Sequence, residues 1–164
     1  MIITIDGVAG AGKTTLATYM SDQYKGRLSV QVIHMDDLYE GWVDPLGPKL
    51  TTKLEKIVVS HQAGERFITT KFDWDRNTPG ESLSIEPVKL LILEGVGSGQ
   101  RVTQEFAETK IWIDLEPILG LRRVLARDGF DIEDQMLNFL EQQRIHHLEE
   151  GTRAAADFHL NGLH

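Results

Sequence analysis

The sequence predicts an α/β fold with a central, mainly parallel sheet of about five strands, on three observations. Short β-branched runs alternate with helical runs along the chain. The run from Val88 to Leu93 is almost wholly apolar, and the first strand passes into the first helix through a glycine-rich turn. Strands apolar on both faces belong to a parallel sheet covered by helices on both sides, which makes three layers.

Met1 to Asp6 is short, β-branched and closed by Gly7, so it reads as a buried strand. Lys13 to Tyr24 reads as a helix, with Gly26 as its stop. Val30 to Met35 reads as a second strand running into the acidic pair Asp36-Asp37, and Gly41 to Pro48 is a loop rich in glycine and proline. Leu50, Leu54, Ile57 and Val58 fall at i, i+4, i+7 and i+8, on one face of a helix ending near Gly64. Phe67 to Trp74 is β-prone and Asn77-Thr78-Pro79-Gly80 is a turn signal. Val88 to Leu93 is the clearest central strand, followed by Glu94 and a glycine-rich stretch to Gly99. A short helix is expected over Gln104 to Glu108, a strand over Lys110 to Leu115, and a helix from Pro117 to about Arg127. Ile132 to Glu149 is the longest helical stretch, with Met136, Leu137, Leu140, Ile145 and Leu148 as its apolar positions; His146-His147 read as surface residues. Phe158 to Leu160 is a final strand.

The 164 residues fit a single domain, 1–164, with no repeat or linker. Seventeen basic against 25 acidic residues leave a charge of −8, which disfavours nucleic acid and anionic membranes as partners. The absence of cysteine removes a disulfide frame, a thiolate metal site and a cysteine nucleophile. No apolar run approaches a membrane span and no signal-peptide pattern opens the chain, so a soluble, cytoplasmic protein is expected. A homo-oligomer stays open.

In parallel sheets ligands bind beyond the carboxyl ends of the strands, and Gly7, Asp36 and Glu94 all lie just past such ends. Gly7-Val8-Ala9-Gly10-Ala11-Gly12-Lys13-Thr14 matches G-x-x-x-x-G-K-[ST] in full, with Thr15 following. The glycines let backbone amides turn around a phosphate, and the next helix points its positive end at the same anion. Lys13 supplies a charge for the β- and γ-phosphates and the Thr14 hydroxyl a ligand for Mg²⁺. The pattern implies a nucleoside triphosphate in a three-layer P-loop NTPase fold; ATP over GTP is left open.

Four segments in order carry a further likeness: Gly7 to Thr15; His34-Met35-Asp36-Asp37-Leu38-Tyr39; Phe72-Asp73-Trp74 with Leu91-Ile92-Leu93-Glu94-Gly95; and Arg122 to Asp128. Together they resemble the uridine kinase-like branch of P-loop kinases, which includes phosphoribulokinase and nicotinamide riboside kinase. The resemblance implies that Asp36 orients an acceptor hydroxyl and takes its proton, and that Glu94 serves Mg²⁺. It implies that Arg123 and Arg127 close from a lid over ATP and join Lys13 in catalysis. It also implies that Tyr39, Asp44, Phe72, Asp73 and Trp74 contribute to the acceptor site, where Asn77 replaces a histidine of the family pattern. From Asp36 to Arg76 there are eight acids and six bases, which suits a neutral alcohol better than a nucleoside monophosphate. The expected activity is phosphorylation of a small-molecule hydroxyl, with a uridine- or cytidine-like nucleoside as lead acceptor. Two alternatives remain: a kinase of the same branch acting on a sugar or vitamin alcohol, and an ATP-binding regulatory module without an acceptor.

Overall fold

A computed structural model describes residues 1–162. Its centre is a five-stranded sheet in the order β2-β5-β1-β6-β7. β1 (Ile2–Gly7) lies between β5 (Leu90–Glu94) and β6 (Thr109–Asp114), with β2 (Val30–His34) and β7 (Phe158–Asn161) at the edges. Each neighbouring pair is parallel, as in Ile5 beside Glu94 and beside Ile111.

Period-two alternation divides the core between the two faces. Ile3, Ile5, Leu90 and Ile92 meet Leu16, Ala17 and Met20 of α1 (Lys13–Tyr24). Ile2, Ile33, Leu91 and Leu93 turn the other way, onto α3 (Pro48–Ala63), α5 (Pro117–Asp128) and α6 (Glu133–Glu150). Leu90 to Leu93 are fully buried, and each such side chain is worth about 1.5–3 kcal/mol of hydrophobic stabilisation. Leu50, Leu54, Ile57 and Val58 form the buried face of α3, as their spacing predicts; Gly64 ends that helix in the left-handed conformation.

Several expected boundaries move. The second strand stops at His34, and Met35–Leu38 forms a short helix, α2, that carries Asp36 in its first turn. β3 (Phe67–Asp73) pairs antiparallel with β4 (Thr78–Ile85), a strand the sequence pattern did not predict, and the two form a separate hairpin. The turn lies at residues 74–77, with Asn77 at φ 52°, so Pro79 and Gly80 are strand residues. Most of β4 is exposed, which explains the missing apolar alternation and the tolerance of proline. The short helix is α4 (Arg101–Gln104), one turn earlier than expected, because the Thr103 hydroxyl bonds to the Ser98 and Gln100 carbonyls and fixes the chain there. A 3₁₀ turn (Phe130–Ile132) and α7 (Thr152–Ala155) complete the elements.

The largest correction concerns α6. Leu137, Ile145 and Leu148 are exposed, whereas Met136, Phe139, Gln143 and His146 are buried. His147 retains only 10% of its side-chain exposure, so the histidine pair is not a surface feature. Met136 and, partly, Leu140 face the core as expected, but Gln143 and His147 of the inward face meet polar atoms at the sheet's carboxyl end, so hydrophobicity alone marks the stripe only in part. Among the described residues no helix is long and apolar enough to cross a membrane.

Candidate active site

A cavity of about 730 Å³ opens beyond the carboxyl ends of β1, β2 and β5. The phosphate-loop residues Ala9, Gly10 and Gly12 to Thr15 line it, together with Asp36, Glu94, Arg123 and Arg127. A third set, Tyr39, Trp42, Pro45, Trp74 and Phe139, gives it an aromatic wall.

The loop's conformation follows from its glycines. Gly7 leaves β1 at φ 142°, and a Cβ there would lie 2.3 Å from the Ile113 carbonyl oxygen. The Ala11 amide closes a turn onto the Val8 carbonyl at 3.1 Å. Lys13 is 7% exposed, and its Nζ donates to the Gly7 and Val8 carbonyls at 3.0 and 2.8 Å. Burial pulls its pKa down, against the opposing charges of Asp6, Glu94 and Asp36.

Thr14 and Glu94 come together across 80 residues of sequence: the Thr14 hydroxyl donates to Glu94 Oε1 at 2.9 Å. His34 Nδ1 lies 2.5 Å from the same oxygen, and that bond raises the imidazole pKa. A hydroxyl beside a buried carboxylate is a hard-oxygen pair suited to Mg²⁺, which takes one or two protein oxygens and fills its shell with phosphate and water. Among the described residues no cluster of three or more His, Asp or Glu could hold a metal unaided. The residues present therefore fit an ion brought in with nucleotide phosphates.

Asp36 opens onto the cavity but has protein around its other sides. Its side chain stays exposed on the cavity side, while partial desolvation by the protein behind it raises its carboxyl above the ordinary aspartate range and Lys13 pulls the other way. The Trp74 indole fixes its backbone by donating to the Asp36 carbonyl at 3.0 Å. Arg123 and Arg127 both reach the cavity, yet differ. Arg123 is tied by Nη1 to the carbonyls of Gly10 (3.3 Å) and Gly162 (2.6 Å). Among the described residues Arg127 hydrogen-bonds with its neighbour Asp128, with 64% of its side chain exposed.

The aromatic wall is a chain of edge contacts. Trp42 meets Trp74 at 5.0 Å and Phe139 at 6.4 Å, and Tyr39 meets Phe139 at 5.9 Å. The buried Tyr39 hydroxyl donates to the Val96 carbonyl at 2.7 Å. Three expected acceptor residues lie outside the lining. Phe72 backs Trp74 at 5.0 Å. Asp73 accepts the Arg76 amide and closes the hairpin turn. The exposed Asp44 folds over Gly47, where a Cβ would sit 1.9 Å from its Oδ2.

Sequence reasoning missed Asp6, Gln143, His147, Met136, Phe139 and Asp75. Asp6 is 1% exposed at the end of β1 and accepts the amides of Gly7, Gly97 and Gly99, with His147 Nε2 at 3.2 Å. Burial drives its pKa up, but His147 and these amides outweigh that and hold it below the usual carboxylate range. A carboxylate immediately before the phosphate loop was the available signal.

The chain aligns with a cytidylate kinase from Thermococcus kodakarensis at 26% identity over 146 residues, covering 88% of this chain and 66% of that protein. A uridine kinase from Limosilactobacillus reuteri is 23% identical, over 96% of this chain and 81% of the relative. Among solved structures, one described as a possible uridine kinase from Bacillus stearothermophilus superposes with a TM-score of 0.71, at 18% identity, covering 98% of this chain and 88% of the other. The chain is similar to the uridine kinase-like branch of P-loop kinases. The likeness within this branch is spread along the chain, and no protein-family model matches it. Shikimate kinase from Bacteroides thetaiotaomicron shares the P-loop kinase α/β fold more loosely, with a TM-score of 0.57 at 14% identity over 99% of this chain and 86% of that one.

Proposed function

We propose that this protein transfers the γ-phosphoryl group of ATP to a hydroxyl of a small, uncharged, ring-bearing alcohol, with a uridine- or cytidine-like nucleoside as the lead acceptor. The observation that carries this is the sharing of one cavity by the phosphate loop, Asp36 and the aromatic wall. A regulatory nucleotide switch has no use for a carboxylate facing the loop across an aromatic pocket.

Lys13 and the loop amides hold the phosphates, with the helix α1 dipole behind them. Thr14 and Glu94 would hold Mg²⁺, which would supply neutralisation of phosphate charge. Asp36 accepts a hydrogen bond from the acceptor hydroxyl and orients its oxygen at the γ-phosphorus. The new O–P bond forms as the β–γ bridging bond breaks, ADP departs, and the hydroxyl proton passes to Asp36. The raised Asp36 pKa makes that carboxylate a better proton acceptor than a free aspartate. Arg127, largely exposed and held by its neighbour Asp128, is placed to swing toward the transferring group.

Lys13, Arg123 and Arg127 are the cationic residues of the cavity lining among the described residues, and the charged groups beside the aromatic part, Asp36 and Asp75, are acids. A phosphorylated acceptor needs a cationic clamp, so this distribution supports a neutral one. The second reading is a nucleoside monophosphate acceptor, favoured by the cytidylate kinases among the relatives. ADP release from ATP·Mg²⁺ with a panel of nucleosides, sugars and small alcohols tests the proposal. Stimulation by a neutral alcohol, lost in Asp36→Asn, is expected. Nucleotide binding without stimulation by any alcohol or monophosphate would return the protein to the class of nucleotide-dependent binding modules.

A further inference from the structure

The long helix α6 carries polar side chains on a face that should be apolar, and both point at the phosphate loop. Gln143 is 2% exposed, and its Oε1 accepts the Ala9 amide at 3.1 Å, across 134 residues of sequence. One turn on, His147 reaches Asp6, the residue before the loop, at 3.2 Å. From the opposite side α5 presses Gly120 against the same stretch of loop. A Cβ on Gly120 would come 2.1 Å from the Ala9 carbonyl oxygen, and a Cβ on Gly10 would come 2.4 Å from the Gly120 carbonyl oxygen. Ala9 and Gly10 are therefore clamped between two helices. α5 makes its contact through the Gly120 backbone and the Arg123 guanidinium on the Gly10 carbonyl; α6 reaches the Ala9 amide through one side-chain amide.

We infer that Gln143 is a positioning residue for nucleotide binding, holding the front half of the phosphate loop in its anion-receiving shape through the Ala9 amide. This rests on the reading of Gly7 to Thr14 as the phosphate cradle. The physical case is that amides must already point inward when the phosphate arrives, since a loop that reorders on binding loses affinity by the ordering cost. Ala9 is 8% exposed, so without Gln143 its amide has no water to turn to and the loop must bend to satisfy it. The same glutamine explains why a helix interior tolerates a buried polar side chain: its oxygen is matched to a backbone donor that no helix or sheet ladder serves.

The test is calorimetric binding of the imido analogue of ATP with Mg²⁺, alongside thermal unfolding. Gln143→Met keeps the volume and removes the acceptor. It should weaken the analogue about five- to twenty-fold while the variant remains folded at the assay temperature. If Gln143→Met does not fold, Gln143→Asn, which withdraws the acceptor by one methylene and stays polar, carries the same expectation. A purely structural glutamine would lower the unfolding midpoint and leave the affinity of the folded protein unchanged, which would overturn the inference. Should the wild-type chain itself fail to bind the analogue, the phosphate-cradle reading falls, and this inference with it.

Discussion

The phosphate-binding wall of the cavity comes from one continuous stretch, Ala9 to Thr15, whereas the aromatic wall takes Tyr39, Trp42, Trp74 and Phe139 from separate parts of the chain. The first is shaped by backbone: glycines at positive φ, carbonyls that hold Lys13, and neighbouring helices that press on the loop. The second is shaped by side-chain edges, with few hydrogen bonds beyond Tyr39 to Val96 and Trp74 to Asp36. A loop preset by its backbone suits a phosphate that is the same for every substrate. A wall of packed rings changes shape with single substitutions, so we propose that acceptor choice lies there.

That division gives separable expectations. The largest effect is on chemistry, where the two walls meet. Asp36→Asn should lower turnover about 10²- to 10⁴-fold with nucleotide affinity retained, read by steady-state rates and calorimetry. Near-normal turnover would remove Asp36 from the reaction. The next largest effect concerns the foundation of the loop. Asp6→Asn leaves the Gly97 and Gly99 amides competing for one fewer acceptor oxygen and should cost about 2–3 kcal/mol in chemical denaturation. Asp6 has a depressed folded pKa, so its contribution is present above the unfolded aspartate value near 3.8 and is lost as pH falls through the folded value. The gap between wild type and variant should therefore close in acid.

Much of the first wall was legible in the sequence because its chemistry is local. Gly7 to Thr14 spells a loop whose glycines and lysine act within eight residues, and Asp36 and Glu94 could be found because strand ends mark where a parallel sheet binds ligands. The second wall was legible in part, at Tyr39 and Trp74 through the family likeness. Phe139 lies about 100 residues from Tyr39, and nothing local distinguishes its inward position from the exposed Leu137 on the same helix. Gln143 and His147 point inward because polar atoms of the loop need partners, a requirement created only when the helix docks. The strand β4 escaped for a related reason, since it leans on β3 and presents no alternation of its own.

Smaller effects sharpen the contrast. Trp74→Ala should raise the acceptor KM about tenfold and leave the affinity for the ATP analogue unchanged, because its ring packs on Trp42 and its indole holds the Asp36 carbonyl, both outside the phosphate loop. A parallel loss of nucleotide affinity would show that the two walls are not independent. The smallest expected effect is a displacement in pH. Asp36 must be deprotonated to accept the hydroxyl proton, and partial desolvation raises its pKa, so activity should be lost as pH falls through a value above that of a free aspartate. The residual rate of Asp36→Asn should lack that acid limb.

The central claim is that phosphoryl transfer here ends on a neutral alcohol. It is tested most directly by offering γ-labelled ATP with uridine and cytidine on one side and their 5′-monophosphates on the other, then separating the products. Label recovered in a nucleoside monophosphate is the predicted result; label recovered only in a nucleoside diphosphate would contradict the claim and assign the cavity to a phosphorylated acceptor.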